Sequence, residues 1–214
     1  MIKAVLFDMD GTVFDTEKIY YRSWVRAAEA VGFCGNMHEV MPLIFGVSEN
    51  DIGKYFYENW GEDFPYQEML ARRAGFIADE IEQSGVPLKS GVPEIFDILA
   101  QRGIRSALVS SAPRFRIDDF LLRSGIDKYF DCIISGDRVE RSKPAPDIFL
   151  LAAEELGLSP RECLVAEDSK NGVLAGYRAG MQVLMIPDLQ PFTEELRPYI
   201  TGLLPSLTEI KNFI

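Results

Sequence analysis

The sequence predicts an α/β fold: a doubly wound, mostly parallel sheet with an all-helical cap inserted near its start. Three observations carry this reading. Short apolar runs of strand length, at residues 4–7, 105–109, 132–134, 163–166 and 182–186, alternate with helical patterns from residue 87 onward. The stretch from Thr16 to about Val86 contains helical periodicity and no convincing strand. Each of the runs at 4–7, 105–109 and 163–166 is followed at once by polar residues, the pattern of buried parallel strands with a site at their carboxyl ends.

In chain order, Ala4-Val5-Leu6-Phe7 reads as a strand buried on both faces, followed by Asp8-Met9-Asp10-Gly11. If strand geometry persists to Asp10, the two carboxylates point the same way. Close like charges repel, and burying them is costly without compensation. A hard divalent cation such as Mg2+ would supply it; from this pair alone, a solvated strand end is an equally good account. Gly11 lets the chain leave the strand.

Thr16 could cap a first helix carrying Ile19, Trp24, Val25, Ala28 and Val31, stopped by Gly32. A short helix is expected around Pro42, from Met41 to Phe45. Another starts at Ser48, with Ile52, Tyr55 and Phe56 on its apolar face. Residues 66–84 form a longer helix with Met69, Ala74, Phe76, Ile77 and Ile81 inward. The chain then returns through Gly85-Val86-Pro87, so the expected division is a core of 1–15 and 87–214 and a cap of 16–86.

Beyond the cap, a helix over 93–102 stops at Gly103, and a strand over 105–111 ends in Ser110-Ser111. A helix from Pro113 runs to Arg123. The strand at 132–134 precedes a helix over 146–156. The strand at 163–166 ends in Glu167-Asp168, followed by a helix over 171–179 and a strand over 182–186.

Composition narrows the function classes. The 214 residues suit one core domain with a small insertion. A net charge of −11 argues against nucleic acid as a partner, yet not against phosphorylated metabolites, because a bound cation reverses the local field. Three cysteines, Cys34, Cys132 and Cys163, form no Cys-x-x-Cys pair, which argues against a disulfide scaffold or zinc site. The single histidine, His38, lacks a second ligand nearby and reads as a surface residue. No apolar run reaches the roughly 18 residues of a membrane span, and no signal peptide is visible. The expected setting is the cytoplasm, and the expected state a monomer.

Parallel strands would gather Asp8 and Asp10, Ser110 and Ser111, and Glu167 and Asp168 at one sheet edge. Lys143, in Lys143-Pro144-Ala145-Pro146, is a further candidate. Two acidic pairs, a hydroxyl pair and a lysine suit a metal and an anion. Asp8-Met9-Asp10-Gly11-Thr12, the Val109-Ser110-Ser111 strand end, Lys143-Pro144-Ala145-Pro146-Asp147-Ile148-Phe149 and Glu167-Asp168-Ser169-x-x-Gly172 resemble, in order, the four motifs of the haloacid dehalogenase superfamily. The helical insertion resembles the cap of its β-phosphoglucomutase-like subgroup.

The resemblance implies roles. Asp8 is the nucleophile that forms an aspartyl-phosphate. Asp10 protonates the leaving oxygen, then activates water, and offers its backbone carbonyl to Mg2+. Asp168 is a further metal ligand, assisted by Glu167. Ser110 binds a phosphoryl oxygen through its hydroxyl and Ser111 through its N–H. Lys143 offsets charge on Asp8 and the phosphoryl group. Thr16 and Gly46-Val47-Ser48 match the subgroup's cap, and Thr16 is a candidate substrate contact. A cis Lys143–Pro144 bond is expected on the same ground.

The acid at Asp10 favours phosphoryl transfer over dehalogenation. β-Phosphoglucomutases usually carry His where this chain has Tyr20 and Arg where it has Glu49, so a phosphatase of a small phosphorylated metabolite, such as a sugar phosphate, is favoured over a phosphosugar mutase. Cap closure, hinged near Asp15-Thr16 and Val86-Pro87, would exclude water. Trp24, Phe45, Tyr55 and Phe56 read as core packing, and Lys18, Arg22 and Lys54 as surface cations.

Overall fold

A computed structural model describes residues 1–44 and 49–214, with Glu49 and Asn50 described in backbone only. Phe45 and Gly46-Val47-Ser48 lie outside the described residues. The chain divides into two compact units, Met1–Asp15 with Val86–Ile214, and Thr16–Gly85.

The larger unit is built on six strands: β1 (Ala4–Phe7), β2 (Arg105–Val109), β3 (Cys132–Ile134), β4 (Cys163–Glu167), β5 (Gln182–Met185) and β6 (Gly202–Leu203). Their order is β3-β2-β1-β4-β5-β6, and every neighbouring pair is parallel. The sheet is thus an α/β fold of the expected kind. Successive strands step outward from β1 on one side to β3. The chain then crosses back to β4 on the other side, which makes β1 and β4 the topological switch.

The strands are apolar throughout because both faces are covered. Alternate residues Ala4 and Leu6 join Val109, Val165 and Val183 in a core closed by α7 (Asp147–Glu155) and α8 (Lys170–Arg178), with Phe149 wholly buried. On the other face Phe7 packs against Phe96 of α5 (Val92–Arg102), ring centroids 5.1 Å apart. Phe14 meets Phe120 of α6 (Arg114–Ser124) edge-on at 5.5 Å.

Two strands, β2 and β6, depart from the sequence expectation, while β1 ends at Phe7 as expected. Strand geometry does not persist to Asp10, because the N–H groups of Val13 and Phe14 both donate to the Met9 carbonyl and turn the chain. Met9 is wholly buried in that turn, and Gly11 takes a φ of 80° within it. β2 stops at Val109, since the Ala112 N–H donates to Ser110 Oγ and starts a turn there. The short strand β6 lies in a segment with no strand-like run.

The smaller unit comprises α1 (Glu17–Ala30), α2 (Met37–Ile44), α3 (Glu49–Trp60) and α4 (Tyr66–Ser84). Trp24, Met37, Met41, Ile52, Phe56 and Met69 are among its buried core. Helix α2 begins four residues before the expected start. Asn36 supplies the cap, its Oδ1 accepting from the His38 N–H at 3.0 Å, so Pro42 falls inside the helix. His38 is exposed, beside Tyr21, whose hydroxyl it meets.

In α4 Ala74 is exposed, against expectation. The inward position is Arg73, whose guanidinium lies 4.6 Å from the Trp24 ring centroid. A cation over an indole face gains electrostatically while its stem covers apolar surface, so a charged residue serves where a small apolar one was expected. No helix among the described residues is long and apolar enough to cross a membrane.

Candidate active site

Three adjacent central strands, β2, β1 and β4, deliver the polar groups. Asp8 is the first residue past β1, and its N–H donates to the Ala166 carbonyl at 3.0 Å. It therefore stays in register with β4, whose last residue is Glu167. Ser110 follows β2, is buried, and donates its N–H to the Ile134 carbonyl at 3.0 Å. The exposed Ser111 comes next.

Lys143 arrives from a loop and crosses to all three strands. Its ammonium donates to Asp8 Oδ1 at 2.5 Å, Glu167 Oε1 at 2.8 Å and the Val109 carbonyl at 3.3 Å. Three donors thus meet three acceptors. The ammonium also lies 4.9 Å from the Phe149 ring centroid. The loop is held from outside: Arg178 donates to the Pro144 carbonyl at 2.8 Å, and Arg141 pairs bidentately with Asp147 at the start of α7, both bonds 3.0 Å. The Lys143–Pro144 peptide is cis.

The acids form a tight group. One carboxylate oxygen each from Asp8, Glu167 and Asp168 lie within 4.8 Å of one another. Glu167 and Asp168 are buried, and Asp8 is partly so. Glu167 is fixed by both ends. Its Oε1 accepts a hydrogen bond from the Lys143 ammonium, and its Oε2 accepts from the Ser169 N–H at 2.8 Å and Ser169 Oγ at 2.9 Å. Ser169 in turn caps α8 by accepting from the Gly172 N–H at 3.1 Å. Gly172 is required by contact: a Cβ there would sit 1.6 Å from Glu167 Oε1. Gly172 is part of a motif in the sequence, but its role as the floor under Glu167 has no sequence signal.

Burial raises the Asp8 carboxyl well above the usual range; Lys143 opposes this, while Glu167 and Asp10 add to it. Burial disfavours the Lys143 charge, but Asp8 and then Glu167 outweigh it and hold the ammonium protonated. Three carboxylates against one ammonium leave the cluster short of positive charge. Its donor set is oxygen only, with no histidine or thiol. That is the chemistry of a hard divalent cation, and the cluster fits Mg2+.

Asp10 sits two residues past Asp8 in the turn, its backbone bridged to Phe14. It is close enough to act on the Asp8 charge. Thr16 belongs to the smaller unit, buried at the N-terminus of α1.

A parallel α/β sheet bearing a lysine-paired aspartate and an acidic cluster at its switch point defines a class of phosphoryl-transfer hydrolases. Residues 5–186 match the family model described as haloacid dehalogenase-like hydrolase, and the chain belongs to that family. It is a phosphoric monoester hydrolase of the β-phosphoglucomutase-like subgroup. The chain is 33% identical over 183 residues to the phosphorylated carbohydrates phosphatase of Thermotoga maritima, covering 85% of this chain and 83% of that protein. It is 30% identical over 184 residues to the fructose-1-phosphate phosphatase YqaB of Escherichia coli, covering 85% and 94%. It is also similar to the crystal structure of a putative β-phosphoglucomutase from Thermotoga maritima, with a TM-score of 0.80 and 29% identity, covering 99% of this chain and 98% of that one.

Proposed function

We propose that the chain is a Mg2+-dependent phosphatase of a small phosphorylated carbohydrate, acting through an aspartyl-phosphate on Asp8. The observation that carries this is Asp8 itself: a partly buried strand-end carboxylate, gripped by a lysine and flanked by Glu167 and Asp168. The sugar-phosphate substrate class follows the two carbohydrate phosphatases to which the chain is similar.

Asp8 attacks phosphorus with its carboxylate oxygen, and the ester P–O bond breaks with its electron pair on the leaving oxygen. Asp10 gives that oxygen its proton. Asp10 then takes a proton from water, whose oxygen attacks phosphorus. The bond to Asp8 breaks, releasing inorganic phosphate and the free carboxylate. Lys143 stays charged and faces the negative charge that grows on the phosphoryl oxygens. The Ser110 hydroxyl and Ser111 N–H bind those oxygens. Asp8, Asp168, the Asp10 carbonyl and Glu167 would hold Mg2+, which when bound supplies the positive charge the acids and the phosphoryl group require.

A panel of phosphorylated sugars and sugar alcohols, with Mg2+ or with a chelator, tests this. Phosphate release is expected only with Mg2+. Asp8→Asn should lower it on the order of 10⁴-fold or more while the protein stays folded. Conversion of β-glucose 1-phosphate to glucose 6-phosphate without phosphate release would replace this reading with the mutase. Metal-independent hydrolysis, or an active Asp8→Asn, would remove it.

A further inference from the structure

Away from the acidic cluster, the larger unit contains a second group of partly buried charges that the reaction above does not use. Lys89 Nζ lies 2.9 Å from Asp188 Oδ1 and 3.7 Å from Asp15 Oδ1. The Asp188 side chain is 8% exposed, and its other oxygen is buried with no hydrogen-bond partner. Lys89 is thus its main compensation, and a buried charge that depends on one partner makes that pairing hard to break.

The three residues belong to three different segments. Asp188 follows β5, three residues past Met185, and the intervening Ile186 donates its N–H to the Glu167 carbonyl at 2.8 Å. It is therefore anchored to the end of β4. Asp15 ends the turn that contains Asp10. Lys89 lies on the segment returning to the larger unit, and that segment is laced to the turn. The Asp15 N–H donates to the Pro87 carbonyl, and the Lys89 N–H to the Val13 carbonyl, each at 2.9 Å. Phe14 is bridged to Leu88 on one side and to Asp10 on the other. The backbone of Asp10 is thereby continuous with the return segment, and the Lys89 ion pairs fasten that segment to the loop after β5.

We propose that Lys89 and Asp188 are positioning residues for Asp10, fixing the turn that aims its carboxyl at the leaving oxygen. The inference rests on the reading of Asp10 as proton donor. A proton donor works only within hydrogen-bond reach, and a displacement near 1 Å costs about 10²-fold. The signature of a displaced donor depends on the leaving group. A sugar alkoxide needs the proton in the transition state; 4-nitrophenolate, a stable anion, does not.

The test compares kcat/KM for glucose 6-phosphate, or for the best sugar phosphate of the panel, with that for 4-nitrophenyl phosphate. In Lys89→Met the sugar ester should lose on the order of 10-fold or more, and the nitrophenyl ester less than about 3-fold. Lys89→Arg should restore most of the loss. Asp188→Asn keeps the side chain's shape, and should give a smaller loss with the same substrate bias; it carries the test if Lys89→Met does not fold. Equal losses on both esters, or none on either, overturn the proposal. An active Asp8→Asn removes the underlying reaction, whereas an inactive Asp8→Asn beside unbiased Lys89 and Asp188 variants removes the positioning role alone.

Discussion

The helical unit and the carboxyl edge of the sheet solve opposite problems. In the helical unit, the centre is a cluster of aromatic rings, and most charges lie outside it, Arg73 excepted. Phe56 is wholly buried, stacked on Phe64 at 5.0 Å and beside Trp24, Trp60 and Tyr66 at 5.4 to 6.3 Å. The ion pairs of Arg72 with Glu68 and Lys54 with Asp51 lie on exposed helix faces, where solvent screens such pairs and they add little to stability. At the sheet edge the order inverts. The side chains of Lys143 and Glu167 are 6% and 1% exposed. A fold built for stability alone gains little from buried charges, because desolvation offsets their attraction. Their burial marks the part of the molecule shaped by chemistry; the ring cluster marks the part shaped by folding.

The largest effect that would test this contrast lies in the ring cluster. Phe56→Ala should cost about 3–5 kcal/mol. Both tryptophans, Trp24 and Trp60, belong to the helical unit, so the loss should show as an earlier denaturant midpoint in tryptophan emission. The circular dichroism of the sheet unit should be the more resistant signal. An unchanged emission midpoint would mean that the cluster is not what holds these helices.

Next comes Gly172→Ala. Exposed helix positions usually tolerate this change or gain from it, but here the new methyl strikes Glu167 Oε1. Glu167 cannot retreat without giving up Lys143 and Ser169. A destabilisation of about 1–3 kcal/mol is expected by thermal melting, with phosphatase activity falling further than stability and native tryptophan emission unchanged.

The smallest effect is at the opposite end of the sheet, where Lys3 before β1 pairs with Glu162 before β4. The hydrogen bonds from Lys3 and Ser159 lower the Glu162 carboxyl from 4.5 to about 2. A carboxyl lowered on folding stabilises the native state above its unfolded pKa, and that contribution is lost as pH falls through its folded one. Glu162→Gln should therefore lower the melting temperature slightly at pH 6 to 7. Wild type and variant should converge as the pH approaches 2. A gap that widens in acid would reverse the sign and refute the assignment.

Much of the sheet was legible because its signal is local. Parallel strands covered on both faces are short apolar runs, and their ends are marked by an abrupt change to polar residues. The long helix Tyr66–Ser84 was equally plain from its period. The rest was hidden for two reasons: a partner distant in the chain, or local cap and turn bonds that hydrophobic periodicity does not register. Arg73 faces inward because Trp24, on another helix, offers a ring. α2 starts at Met37 because Asn36 closes a cap around it, while Pro42 drew the expected start toward itself. Whether strand geometry reaches Asp10 was left open by the sequence; it does not, because Met9 is buried in the turn and its carbonyl collects two N–H groups.

By itself the sequence determined which residues carry charge at strand ends, since that is a matter of order along the chain. It also determined the two structural regimes, because short apolar runs and a 3.6-residue period are written locally. Only the tertiary structure decided what each charge touches. It set Lys143 on three acceptors from three strands, laid Gly172 beneath Glu167, and joined Lys89 to Asp188 across 99 residues of chain. The reason is that hydrogen bonds and ion pairs act over a few ångströms in space, and separation along the chain carries no record of that distance until the sheet has closed it.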